Sequence, residues 1–348
     1  MSERHAALGF VLLALMPAST TARAVATPSS AIYVIRADGS GRHLVGGAGA
    51  NALALSKDGT RLAFLRGAVG PQSLWTIRRN GSGERQLVSE TADEIISEFP
   101  LAWAPAGNAL AYTAIDHSTC GTAAFCNDTQ AVIVDAGDGH RLETIGGAEA
   151  LRWTPDGRRM VWACDTDPDP YGEKEAICFR AARGGVVARV RVGPAHRPLP
   201  APSGTEVAFT GYGGGSLRVL DTGRRSVRRL IDPTSSIDGP LTWAPDGRRI
   251  AFGNAAGQVF SIPSTRGRPR RLGRFHDASG PVWSPRGNWI AFGRNRLWLV
   301  RPDGSDAHRV TRQGFGGNCP LDSFTAASCG PEWSPDGRSL YYLGLTGR

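Results

Sequence analysis

The sequence lacks most of the features that mark a membrane protein, a zinc protein or a hydrolase. Outside residues 6–16, no apolar run approaches the ~20 residues of a transmembrane helix, so we expect no membrane span. The cysteines and histidines show no CxxC, HExxH or His-x-His spacing, and no Gly-x-Ser-x-Gly sequence occurs. We therefore predict no catalytic residue, no metal ligand and no cofactor from local motifs.

Lysine is also scarce. Of the 40 lysine and arginine residues, only Lys57 and Lys174 are lysines, and the basic residues outnumber the 31 acidic ones. The positive charge is therefore almost all arginine. Arginine clusters that alternate with strand-type residues are typical of solvated strands, although an anionic cell-surface polymer or lipid headgroup is an alternative partner. We expect no nucleic-acid partner. The main clusters are Arg224, Arg225, Arg228 and Arg229, and Arg266–Arg271.

The first 26 residues have the pattern of a secretory signal. Arg4 and His5 precede the apolar run Ala6–Met16, and small residues at Ala22–Ala26 offer a cleavage site. We predict a signal peptide at residues 1–26, a mature domain at 27–348 and a secreted or periplasmic location. An uncleaved anchor is the alternative.

One sequence motif recurs seven times and has the pattern of a hairpin. An apolar strand ends at Trp-x-Pro, Asp-Gly follows, and an alternating strand such as Arg249–Phe252 returns. Proline fixes φ and glycine adopts positive φ, so these residues are predicted to shape the turn. The glycines lie 40 to 50 residues apart, which is the length of one four-stranded propeller blade. They are Gly59, Gly107, Gly157, Gly204, Gly247, Gly287 and Gly337.

A second hairpin lies between these motifs, as at Ala31–Gly39 and Leu297–Gly304. We name the strands of the first motif A and B, and those of the second C and D. The mature chain begins with a C–D hairpin and ends with an A–B hairpin, so the two are predicted to complete one shared blade. The sequence thus predicts an all-β, single-domain β-propeller of seven four-stranded blades.

The repeat resembles that of a known family. Trp-Ser-Pro-Asp-Gly-Arg-x-Leu at Trp333–Leu340, an Ile-Tyr-Val-type strand and Asp-Gly-Ser together resemble the WD40-like repeat of TolB-type β-propellers, which also occurs in prolyl-oligopeptidase-like enzymes. The resemblance covers Ala31 to Gly344. TolB proteins carry an α/β domain before a propeller that is usually six-bladed, whereas we expect only the signal before Ala31 and count seven motifs. We expect no hydrolase domain and no peptidase activity.

The strand order assigns each connection to a face. The A–B and C–D turns belong to one face, here the turn face, and the B–C and D–A connections belong to the other, here the loop face. The long insertions at 89–98, 116–129, 165–175 and 312–330 all fall on the loop face. Their acidic residues predict a recognition surface for a cationic or polar partner, with aromatic anchors; solubility is the alternative reason for the charge. The candidate binding residues are Glu98, Phe125, Asp165, Asp167, Asp169, Tyr171, Phe315 and Phe324.

The six cysteines also belong to these insertions or their edges. An even number of cysteines after a secretory signal predicts disulfides. Proximity within single connections favours three local pairs, and no bond then crosses between blades. The predicted pairs are Cys120–Cys126, Cys164–Cys178 and Cys319–Cys329.

Two kinds of metal site are alternatives to this binding role. Asp165, Asp167 and Asp169 are spaced as in some calcium loops, but the glycine and distal glutamate of an EF-hand are missing. A propeller can also gather ligands from separate blades in its central channel. Our leading hypothesis is a monomeric scaffold that binds a protein or a cell-envelope or extracellular ligand. The alternative is a propeller enzyme of lyase or lactonase type with a metal at the channel, and a third possibility is a purely structural envelope protein.

Overall fold

A computed structural model describes residues 30–67, 71–97, 100–118, 128–165, 174–211, 215–232, 237–312 and 330–346. Within these ranges the chain forms strands and turns and contains no helix. None of these residues therefore belongs to a helix that could cross a membrane.

The strands form seven small antiparallel sheets, the blades of a seven-bladed β-propeller. Each blade runs from strand A, the first in the blade, to strand D at the opposite edge. Blade 1 contains β3 (Ala50–Leu55), β4 (Arg61–Arg66), β5 (Ser73–Arg78) and β6 (Arg85–Ser89); blade 2 contains β7 (Glu94–Ile96), β8 (Ala102–Trp103), β9 (Ala109–Asp116), β10 (Thr129–Asp135) and β11 (Arg141–Gly146); and blade 3 contains β12 (Ala148–Trp153), β13 (Arg159–Cys164), β14 (Ala176–Ala181) and β15 (Ala188–Arg191). Blade 4 contains β16 (His196–Pro200), β17 (Glu206–Thr210), β18 (Leu217–Asp221) and β19 (Ser226–Ile231), and blade 5 contains β20 (Ile237–Trp243), β21 (Arg249–Asn254), β22 (Val259–Pro263) and β23 (Arg270–Arg271). Blade 6 contains β24 (Ser279–Trp283), β25 (Ile290–Arg294), β26 (Arg296–Val300) and β27 (His308–Arg309), and blade 7 contains β28 (Glu332–Trp333), β29 (Ser339–Leu345), β1 (Ser30–Arg36) and β2 (His43–Gly46).

Blade 7 closes the ring as the sequence predicts. Strand β1 pairs with β29 along its whole length, from Ser30 opposite Leu345 to Arg36 opposite Ser339. The two ends of the propeller thus meet in one sheet, and the prediction of a shared closing blade is confirmed.

The A–B turns explain the seven glycines. All seven have φ between 63° and 75°, a region that side chains with a Cβ rarely adopt. Each glycine N–H also donates to the carbonyl three residues earlier, as in the 2.8 Å bond from Gly157 to Thr154. The glycines therefore serve the turns.

The repeated tryptophans tie neighbouring blades together. The Trp103 indole N–H donates to the Ala54 carbonyl of blade 1 at 3.1 Å. Trp333 makes the equivalent bond to Val282 of blade 6, also at 3.1 Å. A structural role for the repeated tryptophans is therefore confirmed at these positions.

The apolar core is divided into seven clusters, and each lies between two neighbouring blades. One aromatic side chain per strand B fills these layers, and none of the seven is more than 4% exposed. No blade thus has a core of its own. The aromatic residues are Phe64, Tyr112, Trp162, Phe209, Phe252, Phe292 and Tyr342.

The outer strands carry the arginines that the sequence concentrates. Arg228 of β19 pairs with Glu206 at 2.8 Å, and Arg270 and Arg271 of β23 are exposed. Charged side chains on an open sheet edge oppose pairing with another chain. This arrangement agrees with solvated edge strands.

The predicted insertion at residues 89–98 contains a short strand. Residues 94–96 form β7, which pairs with β9, and Glu94 is held by several partners. Its carboxylate accepts hydrogen bonds from Tyr112 at 3.0 Å and from Arg141 at 2.6 Å. The acidic residue serves the blade there.

Candidate functional site

Among the predicted binding residues, the structure describes Asp165 alone. Glu98, Phe125, Asp167, Asp169, Tyr171, Phe315 and Phe324 lie outside the described residues and stay predictions. The same holds for the pairs Cys120–Cys126 and Cys319–Cys329. The pair Cys164–Cys178 is present as a disulfide, as predicted.

This disulfide joins the strands that flank the B–C connection of blade 3. Cys164 is the last residue of β13 and Cys178 is the third residue of β14, with Cα atoms 5.9 Å apart. Both side chains are buried in the cluster between blades 2 and 3. The connection at 165–175 therefore leaves the sheet from a covalently fixed base.

An ion pair joins the two ends of the same connection. Lys174 Nζ donates to Asp165 Oδ2 at 2.6 Å, and the lysine side chain is only 7% exposed. The Lys174 carbonyl also accepts from Ala195 N, which fixes it to the start of blade 4. The Asp165 carboxylate therefore compensates the charge of a buried lysine. It serves the fold and is not reserved for a binding partner.

Glu149 and His196 lie in strands A of blades 3 and 4, and Glu149 is near this ion pair. His196 Nε2 lies 3.2 Å from Glu149 Oε1, and both side chains are nearly buried. Burial raises the pKa of Glu149 to about 7, although Lys174 and Arg197 oppose that rise. Burial lowers the pKa of His196 to about 3. At neutral pH the imidazole is therefore uncharged and the carboxyl is close to half-protonated.

We name Glu149, Asp165, Lys174, His196 and Arg197 the blade 3–4 cluster. Asp165 and Glu149 provide two acids, while Lys174 and Arg197 provide two cations that act on Glu149. Within this cluster, the Asp165–Lys174 ion pair fixes the base of the B–C connection at 165–175. It lies at the loop-face ends of its strands.

Strands A also line two cavities in the central channel. The larger, of about 280 Å³, opens at the turn face, and the smaller, of about 30 Å³, lies toward the loop face. Arg152 lines both cavities. The larger cavity is lined by Ala54, Leu55, Lys57, Leu101, Ala102, Trp103, Pro105, Arg152, Trp153, Thr154, Pro155 and Glu332.

In the described ranges, one group of three side chains has metal-ligating spacing, and it lies outside the channel. Asp135, Asp138 and His140 form the C–D turn of blade 2, where Asp138 Oδ1 accepts from His140 N at 3.0 Å. The turn itself accounts for these contacts. Of the three carboxylates considered for calcium, the described one, Asp165, is paired with Lys174.

Sequence reasoning missed the charged residues of strands A and the buried lysine. Arg152 and Glu332 each stand directly before the repeated tryptophan, where the other repeats have alanine, leucine, threonine or valine. This break in the repeat was a usable signal. The burial of Glu149 and Lys174 had no such signal, since it depends on the packing of blade 3 against blade 4.

The comparisons with known proteins differ in how much of the chain they cover. No family model matches the chain. An uncharacterized protein from Agrobacterium fabrum is 36% identical over 83 residues, which span 28% of its length.

Three solved structures cover most of the chain at low identity. A TolB-type protein from Agrobacterium tumefaciens has a TM-score of 0.54 at 16% identity, over 92% of this chain and 100% of that one. Oligogalacturonate lyase from Vibrio parahaemolyticus has a TM-score of 0.55 at 10% identity, over 75% and 80%. The β-propeller domain of Myceliophteria thermophila Cps50 (Swd1) has a TM-score of 0.53 at 14% identity, over 77% and 89%. The likeness to all three shows that the chain has a β-propeller fold.

Proposed function

We propose that the chain is a secreted or periplasmic binding scaffold that receives a protein or a cell-envelope ligand on its loop face. One observation carries the proposal. The B–C connection of blade 3 is fixed at its base by the Cys164–Cys178 disulfide and by the ion pair of Asp165 with buried Lys174. Fixing the ends of a loop before binding reduces the entropy that a partner must overcome, so such loops suit recognition.

The contrast between the faces supports this assignment. The seven A–B turns share one glycine conformation and one hydrogen bond, so they are equivalent structural turns. The long insertions of the sequence all belong to the loop face. The intramolecular disulfide fits an oxidising compartment such as the periplasm or the exterior.

The position of Asp165 narrows the predicted contact surface. Because its carboxylate is committed to Lys174, we assign recognition to Asp167, Asp169 and Tyr171 further along the same connection. Rim carboxylates chiefly change the association rate, whereas an aromatic anchor carries affinity.

The test begins with capture of a partner from native envelope or culture fluid by the immobilised mature protein. The Kd of the purified partner is then measured for Tyr171→Ala and for Asp167→Lys combined with Asp169→Lys. We expect Tyr171→Ala to weaken binding by about thirtyfold, or ~2 kcal/mol, at unchanged Tm. The charge variant should slow association and reduce its dependence on salt.

A matched variant on the turn face is Asp246→Ala, which removes the acceptor of the 2.9 Å bond from Arg248 N. It should lower Tm and leave the Kd unchanged. Binding that survives the loop-face variants but is lost with Asp246→Ala would contradict the proposal. Stoichiometric, chelator-sensitive metal with turnover of a substrate would favour the enzyme alternative instead.

A further inference from the structure

At one position of strand A, two of the seven blades carry a charged residue where the others do not. The residue directly before the repeated tryptophan, or before its equivalents Leu55 and Pro200, is uncharged in five blades. In blade 3 it is Arg152 and in blade 7 it is Glu332. Blades 1 and 2 separate these two on one side and blades 4, 5 and 6 on the other, so the two charges lie on nearly opposite walls at the same height.

Arg152 presents donors to the larger cavity. Its Nη1 donates to the Leu101 carbonyl at 2.8 Å, which fixes the guanidinium against blade 2. Arg152 lines the cavity, and burial lowers the pKa of Arg152 to about 10 without discharging it at neutral pH. A fixed guanidinium of this kind suits a carboxylate.

Glu332 faces the same cavity without a partner. In the described part of the chain no hydrogen bond or ion pair reaches its carboxyl, and Arg152 acts on it only at longer range. Burial raises the pKa of Glu332 to about 7. The Glu332 side chain is only partly buried, so its unpaired carboxyl is open to the cavity, where a ligand cation can pair with it.

The remaining walls combine aromatic and small side chains with Thr154 and with Lys57, whose ammonium donates to the Pro155 carbonyl. Trp103 and Trp153 and the small residues Ala54 and Ala102 line the space between the charges. The volume of about 280 Å³ is slightly below the ~300–1,000 Å³ of drug-sized ligand pockets. The cavity therefore suits a molecule of few atoms with an apolar body and two charged groups.

We propose that this cavity, here the turn-face pocket, binds a small zwitterion of the α-amino-acid class, with its carboxylate on Arg152 and its ammonium on Glu332. A simple anion would leave Glu332 unpaired beside it, and a simple cation would face Arg152. A neutral apolar molecule would bury both charges without pairing either. The pocket opens opposite the loop face, so this proposal is independent of the binding role proposed above.

The test uses glycine, L-alanine and L-leucine as probes of the purified mature protein, followed by calorimetry and ligand-observed NMR. For L-leucine the matched analogues are 3-methylbutylamine, which lacks the carboxylate, and 4-methylpentanoate, which lacks the ammonium. We expect at least one amino acid to bind, and we expect each analogue of L-leucine to bind about tenfold or more weakly than L-leucine. No binding by any of the three amino acids, or equal binding by L-leucine and its analogues, would overturn the proposal.

Variants then locate the site. Glu332→Gln should weaken amino-acid binding about tenfold or more and leave 4-methylpentanoate unaffected, since that ligand has no ammonium. Glu206→Gln is the matched control, because it removes another partly buried carboxyl that does not line the pocket, and it should bind as the wild type does. Arg152→Gln should bind L-leucine and 3-methylbutylamine equally well, because it lacks the proposed partner of the carboxylate. If Arg152→Gln does not fold, Glu332→Gln and the analogues still decide the outcome, and an unchanged affinity in Glu332→Gln overturns the assignment.

Discussion

At the scale of single residues, burial within the ring shifts pKa values more than neighbouring charges do. Glu332 and Glu149 both have pKa values raised to about 7 by burial, and His196 has one lowered to about 3. Each shift favours the uncharged form, because protein replaces water around the group. These residues are therefore where stability depends on pH.

Glu332→Gln should change the pH dependence of stability. The folded pKa of Glu332 is raised above its ordinary value of 4.5, so the folded state binds more protons than the unfolded state between about pH 4.5 and 7. The stabilisation from the protonated carboxyl is present below pH 4.5 and is lost as pH rises through 7. The wild type should therefore lose stability between about pH 5 and pH 8, whereas the variant should not. The free energy of unfolding of the wild type should fall relative to that of the variant by on the order of 1 kcal/mol.

Urea unfolding at both pH values measures this difference. Near pH 5 the wild-type carboxyl is already protonated, so the variant loses a charge facing Arg152 only near pH 8, and the pKa of about 7 already includes that attraction. Parallel pH profiles for the two proteins would contradict the prediction.

At the scale of elements, the B–C connection of blade 3 differs from the short turns by its fixed base. The disulfide closes a loop with a sequence separation of 14 residues, and its two half-cystines are buried. Sequence reasoning predicted this bond because both cysteines fall at adjacent strands of one blade. It did not predict the ion pair beside it, since nothing in the pattern shows that Lys174 is buried by the start of blade 4.

Replacing both half-cystines, as Cys164→Ala with Cys178→Ala, should lower the free energy of unfolding by about 3 kcal/mol, the value expected for closing a loop of roughly this length. The connection should also become more sensitive to proteolysis, since the Asp165–Lys174 ion pair alone would hold it. Chemical denaturation and limited proteolysis measure the two effects. Equal unfolding midpoints and equal cleavage rates would show that the bond does not fix the connection.

At the scale of the whole molecule, the repeat predicted the architecture but not the channel. Seven glycines spaced 40 to 50 residues apart predicted seven blades, because each glycine serves a turn by its own backbone conformation. The residues facing the channel follow no such rule. In β12 the pairing register shifts between Glu149 and Arg152, and a bulge of this kind interrupts the alternation of side chains. The orientation of Arg152 could not therefore be read from the sequence.

Shared cores also predict that the ring unfolds as one unit. Leu340 is fully buried in the cluster between blades 6 and 7, and Leu220 is fully buried in the cluster between blades 3 and 4. Leu340→Ala and Leu220→Ala should each lower stability by about 2–5 kcal/mol. Tryptophan fluorescence and far-UV circular dichroism should give coincident single transitions with the wild-type m-value in both variants. A separate early transition in Leu340→Ala would show instead that the closing blade opens alone.

The side-by-side position of Ser30 and Leu345 makes the order of the blades along the chain cyclic. Covalent joining of these ends and cleavage at another turn would give a circular permutant in which every blade keeps both neighbours and all seven clusters stay intact. The positions of the termini could then be chosen freely, for instance to place a reporter domain beside either mouth of the channel.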